Sequence, residues 1–333
     1  MLMRTLLTAA CAACLMTAQV QAGLILDGLP SDKIDEPAEA APKPAEPAVQ
    51  GGPKFAGDCF AGSAPAGADA RLAGIPAAPA YQPMARNGGR QSGTDWARPG
   101  WRPVTQADPD LRDIARNVAL VQLCYVTPDG MPREVDFGSA TRSIDSAFTT
   151  SCTGILLPGN RLLLPHYCMV PQGFTEAGFT VGGVQAVFGY IDRQTPPLTV
   201  RAGAVPLAMD KDLGAAVLSL EGEATGALGD GIVGPAATDL PQYHPLVMLH
   251  HPMGQPMRLS SADCLELSRR EDLPKGQFRH SCETTGGSGG GLLLDARTLA
   301  PRGMHFSKTT GDSRQALDLR AIDAALDLGL TAE

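Results

Sequence analysis

The 333-residue chain has no run of basic residues, and its 27 Lys and Arg are outnumbered by 35 Asp and Glu, giving a formal net charge of −8. Nucleic-acid binding, which depends on clustered cations to neutralise phosphates, is therefore not expected. No CxxC pair and no H-E-x-x-H helix occurs, so neither the usual zinc spacing nor the metalloprotease motif is present, and no metal or other cofactor is expected. Past the first 22 residues no apolar run approaches the roughly 20 residues needed to cross a bilayer. Helical periodicity is scarce as well. It is clear only near the C-terminus, where Leu319, Ile322, Ala325 and Leu326 would share one face.

What is present begins with an export signal. Arg4 precedes an apolar stretch from Leu6 to Met16, and Val20, Gln21 and Ala22 supply a small-residue cleavage site before Gly23. Residues 1–22 are thus expected to be removed, placing the mature protein in a secreted or periplasmic setting. A lipoprotein anchor at Cys11 or Cys14 is the lesser alternative, because neither cysteine has the L-x-[GA]-C context. Six cysteines then remain: Cys59, Cys124, Cys152, Cys168, Cys264 and Cys282. An even number in an oxidising compartment favours disulfides over free thiols or metal ligands.

Gly (38) and Pro (28) are concentrated unevenly. From Asp27 to about Asp110 the chain is rich in Ala, Pro and Gly, buries too little apolar surface to offset its ordering entropy, and reads as an extension or prosegment over residues 23–116. Phe55, Phe60, Trp96 and Trp101 are its aromatic anchors for a neighbouring domain. From Asn117 the texture changes to short apolar runs separated by Gly/Pro turns. They are Ala119–Val126, Thr153–Leu157, Leu162–Leu164, Val181–Phe188, Leu213–Leu220, Leu246–Leu249, Gly291–Leu294 and Gly303–Phe306. Pro158-Gly159-Asn160 signals a hairpin. Many short strands and one terminal helix predict an all-β domain over residues 117–333.

The chemistry centres on Ser288, which lies in Thr285-Gly286-Gly287-Ser288-Gly289-Gly290. Glycines let backbone N–H groups point at a substrate carbonyl beside an exposed hydroxyl. The segment also fits the G-x-S-x-G elbow of α/β-hydrolases, but that fold needs the order Ser, acid, His, and only His305 occurs in the 45 residues after Ser288. The reverse order fits. His166 follows the hairpin between Cys152 and Cys168, and Asp212 stands at the mouth of an apolar run. Asp210 is the rival acid and lacks the strand start that follows Asp212.

With these segments the chain resembles the chymotrypsin/trypsin-like serine proteases. Cys152-Thr-Gly-Ile-Leu through His166-Tyr-Cys168 is similar to that family's C-x-G-[ST]-L-I … T-A-A-H-C segment. Asp212-Leu-Gly is similar to D-[IL]-A-L-L, and the Ser288 loop to G-D-S-G-G-P. His251-Pro-Met-Gly resembles the bacterial glutamyl-endopeptidase branch. The departures are Pro165 before the histidine, Gly291 after the glycine pair, and Gly287 in place of the Asp that binds a freed N-terminus in animal trypsins.

The resemblance implies two six-stranded antiparallel β-barrels with a C-terminal helix. It implies an exported serine endopeptidase acting on protein or peptide substrates, with Ser288 as nucleophile, His166 as base and Asp212 as orienting acid. Gly286 and Ser288 would supply the oxyanion N–H groups, and Glu283, Thr284, Thr285 and His305 would line the pocket for the residue preceding the scissile bond. Glu283 points to a basic side chain there and His305 to an acidic one, so both stand open. Cys152–Cys168 would fix the histidine loop; Cys264–Cys282 follows by position and Cys59–Cys124 by elimination. His250 and His251 read as rim or core histidines beside a turn, and His244 and His280 have no partner motif. The alternative function is a catalytically silent binding or regulatory protein on the same fold.

Overall fold

The computed structural model describes Phe60 and residues 100–330, apart from 137–140, 172, 236–238, 268–272 and 309–313. The expected signal peptide, Cys59, Trp96 and most of the extension lie outside the described residues. Described structure begins upstream of residue 117, with strand β1 (Trp101–Pro103) and helix α1 (Pro109–Ala115), whose Leu111 and Ala115 join the core.

The first half of the domain follows as β2 (Val118–Val126), β3 (Arg133–Asp136), β4 (Thr141–Ile144), β5 (Ala147–Leu157), β6 (Arg161–Pro165), the short helix α2 (His166–Met169), β7 (Thr180–Phe188), β8 (Leu198–Ala202), β9 (Ala208–Asp210) and β10 (Ala215–Glu221). The second half contains β11 (Leu246–His250), β12 (Arg258–Ser260), β13 (Glu266–Leu267), β14 (Gln277–His280), β15 (Leu292–Asp295), β16 (Pro301–Lys308), β17 (Arg314–Asp318) and the terminal helix α3 (Leu319–Leu326). Six of the eight apolar runs read from the sequence lie wholly on strands, and the other two start just ahead of theirs, at Leu213-Gly214 before β10 and at Gly291 before β15. Leu319 and Ile322 of α3 are buried and Leu326 packs partly against the core, whereas Ala325 is exposed.

In the first half the order β6-β5-β2-β7-β8-β10 closes on itself through β6–β10 pairing, with β9 added outside on β10. This is a six-stranded barrel. The β5–β6 hairpin turns at Gly159 and Asn160, both at positive φ (74° and 56°), as a tight right-twisting hairpin requires. A separate β3–β4 hairpin of polar residues went unread in the sequence.

The second half departs from the expectation of two closed barrels. Its eight strands run β1-β12-β11-β15-β16-β17-β14-β13 as an open sheet. One edge of β12 is occupied by β1, and the opposite edge strand, β13, is two residues long. A bridge from Pro245 to Leu265, with Leu246 N–H donating to Cys264 O (2.8 Å) and Glu266 N–H to His244 O (2.8 Å), brings the start of β11 towards that edge without a further paired strand.

Packing explains why the runs are continuous rather than alternating. Ala119, Val121, Leu123, Leu156, Leu162, Leu164, Ala216 and Leu218 fill the barrel interior. Their neighbours Val118, Ile155, Leu157, Leu163, Ala215 and Val217 face outward into a second core shared with Val247, Leu249, Leu292, Leu294, Met304 and Leu317 of the open sheet. Each strand of this set is buried on both faces, and each such Leu or Ile contributes about 1.5–3 kcal/mol. The shared core holds the two halves together and brings the His166 loop and the Ser288 loop to the same seam.

Candidate active site

Thr153 joins the two halves at the site. Its backbone N–H donates to Gly289 O (2.7 Å), its hydroxyl donates to Gly287 O (2.8 Å), and it accepts from His251 N–H (3.0 Å). The strand carrying Cys152 and leading into the His166 hairpin is thereby fixed to the serine loop. Gly287 has φ +84°, and a Cβ there would lie 2.7 Å from His251 O, so both the turn and the packing require glycine. The expected Cys152–Cys168 and Cys264–Cys282 disulfides are formed. Cys124 is disulfide-bonded as well, while its expected partner Cys59 lies outside the described residues. Phe60, beside it in sequence, accepts from Arg201 on β8 through its carbonyl.

His166 begins α2, with its backbone N–H donating to Gly214 O (2.8 Å) at the entry to β10. The imidazole is partly exposed, but its Nε2 is buried and has no hydrogen-bond partner among the described residues. Burial lowers its pKa, and the nearby Lys211 charge lowers it further. Asp212 is exposed in the turn before β10 and makes no hydrogen bond or ion pair among the described residues, while Asp210 accepts from Leu213 N–H (2.8 Å). The residue directly against the His166 backbone is Gly214, at φ +95°; a Cβ there would meet the Phe306 ring at 2.5 Å. Phe306 in turn packs edge-on against Tyr167.

Ser288 has no exposed surface. Its Oγ lies 2.8 Å from His250 Nδ1 and accepts from Thr285 N–H at 3.1 Å. Its own N–H donates to Thr285 O (3.1 Å), so one expected oxyanion donor is engaged within the loop. Gly286 is exposed, and its carbonyl accepts from Met253 N–H. Among the described residues no hydrogen bond joins the three expected triad side chains, and Asp212 stands apart on its exposed turn.

The expected pocket residues divide. Thr284 is buried, and its Oγ1 accepts from Arg314 Nε at 3.4 Å. Thr285 belongs to the serine turn. Glu283 is half-buried and its carbonyl accepts from Ser260 Oγ (2.9 Å) and Trp101 Nε1 (3.2 Å). His305 is buried on β16 beside the serine loop, taking Gly290 N–H on its carbonyl at 2.7 Å. Its Nδ1 lies 3.1 Å from His280 Nε2, and burial pushes its pKa down to about 3. The His280 Nδ1 atom is buried without a partner.

The sequence reads His250 as a rim or core histidine, offers no partner motif for His280, and attaches no role to Ser260 or Arg314. The signal for His250 was its position. It ends a strand whose preceding residues, Leu246 to Leu249, are all buried, and a polar ring at the end of such a strand needs a partner.

No protein-family model matches this sequence, and a comparison with curated proteins finds no match. Among solved structures, the chain is similar to the active form of the Rv3671c protease from M. tuberculosis, with 15% identity, TM-score 0.45, and 69% of this chain and 88% of that one covered. A structure described as Deg5 gives 11% identity and TM-score 0.45, covering 66% of this chain and 94% of that one. A serine endoprotease from Yersinia pestis gives 10% identity and TM-score 0.43, covering 64% of this chain and 62% of that one.

Proposed function

We propose that the protein is an exported serine endopeptidase that hydrolyses peptide bonds through an acyl-enzyme on Ser288. One observation carries the reading: the glycine-bounded serine loop is bonded through Thr153 to the strand that leads into the His166 hairpin. In the reaction Ser288 Oγ attacks the scissile carbonyl, and His166 takes its proton and returns it to the leaving amine. The orienting carboxylate is assigned to Asp212, which must move from its exposed turn to reach the imidazole. The Gly286 and Ser288 N–H groups receive the oxyanion once the Ser288 N–H leaves Thr285 O.

For the pocket we infer an acidic side chain preceding the scissile bond. Thr284, His280, His305 and Arg314 lie together next to the serine loop, and Glu283 is turned towards Gly100 at the rim. Peptide-library profiling of wild type, Glu283→Gln and His305→Ala tests this. His305→Ala should lose the acidic preference and Glu283→Gln should keep it.

A catalytically silent binding protein is the second reading, favoured by the His250 partner of Ser288 and the exposed Asp212. Covalent labelling by a fluorophosphonate separates the two, since only a serine activated by an imidazole reacts. An endopeptidase labels at Ser288 and loses labelling in His166→Ala and Ser288→Ala. A protein that never labels is the silent form.

A further inference from the structure

The Ser288 hydroxyl ends a hydrogen-bonded chain that begins on the N-terminal strand β1, and the proton on each link can be assigned. Ser260 has one hydroxyl proton, which it donates to Glu283 O at 2.9 Å. Towards His250 Nε2, 3.1 Å away, Ser260 can then only accept. Nε2 therefore carries the ring proton, Nδ1 presents its lone pair, and the Ser288 hydroxyl donates to it at 2.8 Å. Thr285 N–H, donating to Ser288 Oγ at 3.1 Å, completes the serine's bonding. At the other end Trp101 Nε1 donates to the same Glu283 carbonyl at 3.2 Å, and its ring stands edge-on to His250 with centroids 5.4 Å apart.

We propose that His250 and Trp101 form a latch that holds Ser288 in a resting orientation, and that lifting β1 from the edge of β12 frees the hydroxyl to turn towards His166. The inference rests on the reading of Ser288 as the nucleophile. It makes His250 a positioning residue and not a second base. To act as a base, His250 would have to carry a proton with no exposed surface and no carboxylate beside it. Burial disfavours that charge, and the nearby Arg258 guanidinium carries a charge of the same sign. His166, by contrast, is partly open to solvent.

The handle of the latch is suited to release. β1 is three residues long, lies at the outer edge of the sheet and, among the described residues, pairs with β12 alone. A strand this short contributes few ladder hydrogen bonds, each of modest net worth, so peeling it costs far less than opening either core. Arg102, at its centre, is exposed and bonds Ser261 across the edge, within reach of a competing strand or a protease.

The rate of fluorophosphonate labelling at Ser288, measured on the purified full chain by mass spectrometry, tests the latch. His250→Leu and Trp101→Ala should each label about tenfold faster than wild type, the factor set by one ordinary hydrogen bond. His250→Asn, whose amide oxygen can occupy the Nδ1 position and accept the hydroxyl, should stay near the wild-type rate. Thermal unfolding of each variant confirms that the compared proteins are folded. If His250→Leu does not fold, Trp101→Ala at the sheet edge carries the comparison. Equal or slower labelling in folded His250→Leu or Trp101→Ala, with wild type labelling readily, overturns the latch and leaves the nucleophile intact. No labelling in any variant overturns the nucleophile reading itself, and the latch with it.

Discussion

The barrel and the open sheet share one core but bury different chemistry. In the barrel half the buried polar side chains are Thr127 and Thr153, and the interior is otherwise aliphatic and aromatic. The open-sheet half buries His244, His250, His251, His280, His305, Glu266, Asp295, Arg302, Arg314, Asp318 and Asp323. The barrel is therefore held by packing that pH barely touches. The sheet beside the serine is held partly by charges and imidazoles whose protonation is fixed by their surroundings. Of the two halves, the one carrying Ser288 can be loosened by a proton or a lost partner.

Removing Arg302 should give the largest effect. Its guanidinium has no exposed surface, donates to both Glu266 oxygens at 2.8 Å and to Asp318 at 2.6 Å, and lies 4.4 Å from the Phe278 ring centroid. Asp318 retains Arg320, but Glu266 would be left buried with its charge uncompensated. Arg302→Ala should cost about 3–5 kcal/mol in denaturant unfolding. A loss below 1 kcal/mol would mean that this half rests on packing as the barrel does.

Acidification should come next. His250, His251, His280 and His305 are buried and neutral, with pKa values pushed down by burial, to about 4 for His251 and about 3 for His305. Below the unfolded value of about 6.5 the unfolded chain binds protons that the folded chain refuses, so stability falls as pH falls. Each histidine adds a slope of up to about 1.4 kcal/mol per pH unit in that range. Unfolding at pH 7 and pH 5 should differ by several kcal/mol. Hydrogen exchange should show β11 and β14 opening before β2 and β5. Equal stability at the two pH values would remove the contrast between the halves.

The disulfides sharpen the comparison with a smaller effect. Cys152–Cys168 and Cys264–Cys282 close loops of similar sequence separation, 16 and 18 residues, one in each half. Replacing either pair by Ala should cost about 3 kcal/mol. The losses should match in size and differ in consequence, because the first loop contains His166 and the second approaches Glu283. A profile of substrate preference that changes only with the second pair would agree with the pocket assignment.

The same contrast governs what the sequence revealed. Runs such as Leu162-Leu163-Leu164 were legible because both faces of their strands are covered, so nothing polar interrupts them. β3, β4 and β12 were not, since edge and hairpin strands such as Arg133–Asp136 carry mostly polar residues with no sustained alternation. The open second sheet was invisible for a related reason. Closure depends on β1, three residues from a segment whose composition resembles a linker, occupying the edge of β12. His166 and Ser288 are singled out in the sequence by their neighbours in the chain. The His250–Ser260–Glu283 connection could not, because it is assembled from three separate strands and loops and leaves no spacing pattern.

The smallest effect expected lies on the barrel side of the seam. In the proposed mechanism cleavage requires neutral His166, so activity should fall as pH drops through its pKa. Burial, the larger cause, and the positive charge of Lys211 both disfavour the imidazolium, which sets the acid limb of the pH profile below the ordinary histidine value. Lys211→Gln removes the second cause alone. It should move the limb of kcat/KM to higher pH and leave the plateau rate unchanged, because Lys211 takes no part in proton transfer. Lys211 is exposed, so added salt should shrink the difference between variant and wild type. A limb that does not move at low ionic strength would show that another group controls it. Movement to lower pH would mean that Lys211 acts through a carboxylate, which would point to Asp212 having joined the imidazole in the working enzyme.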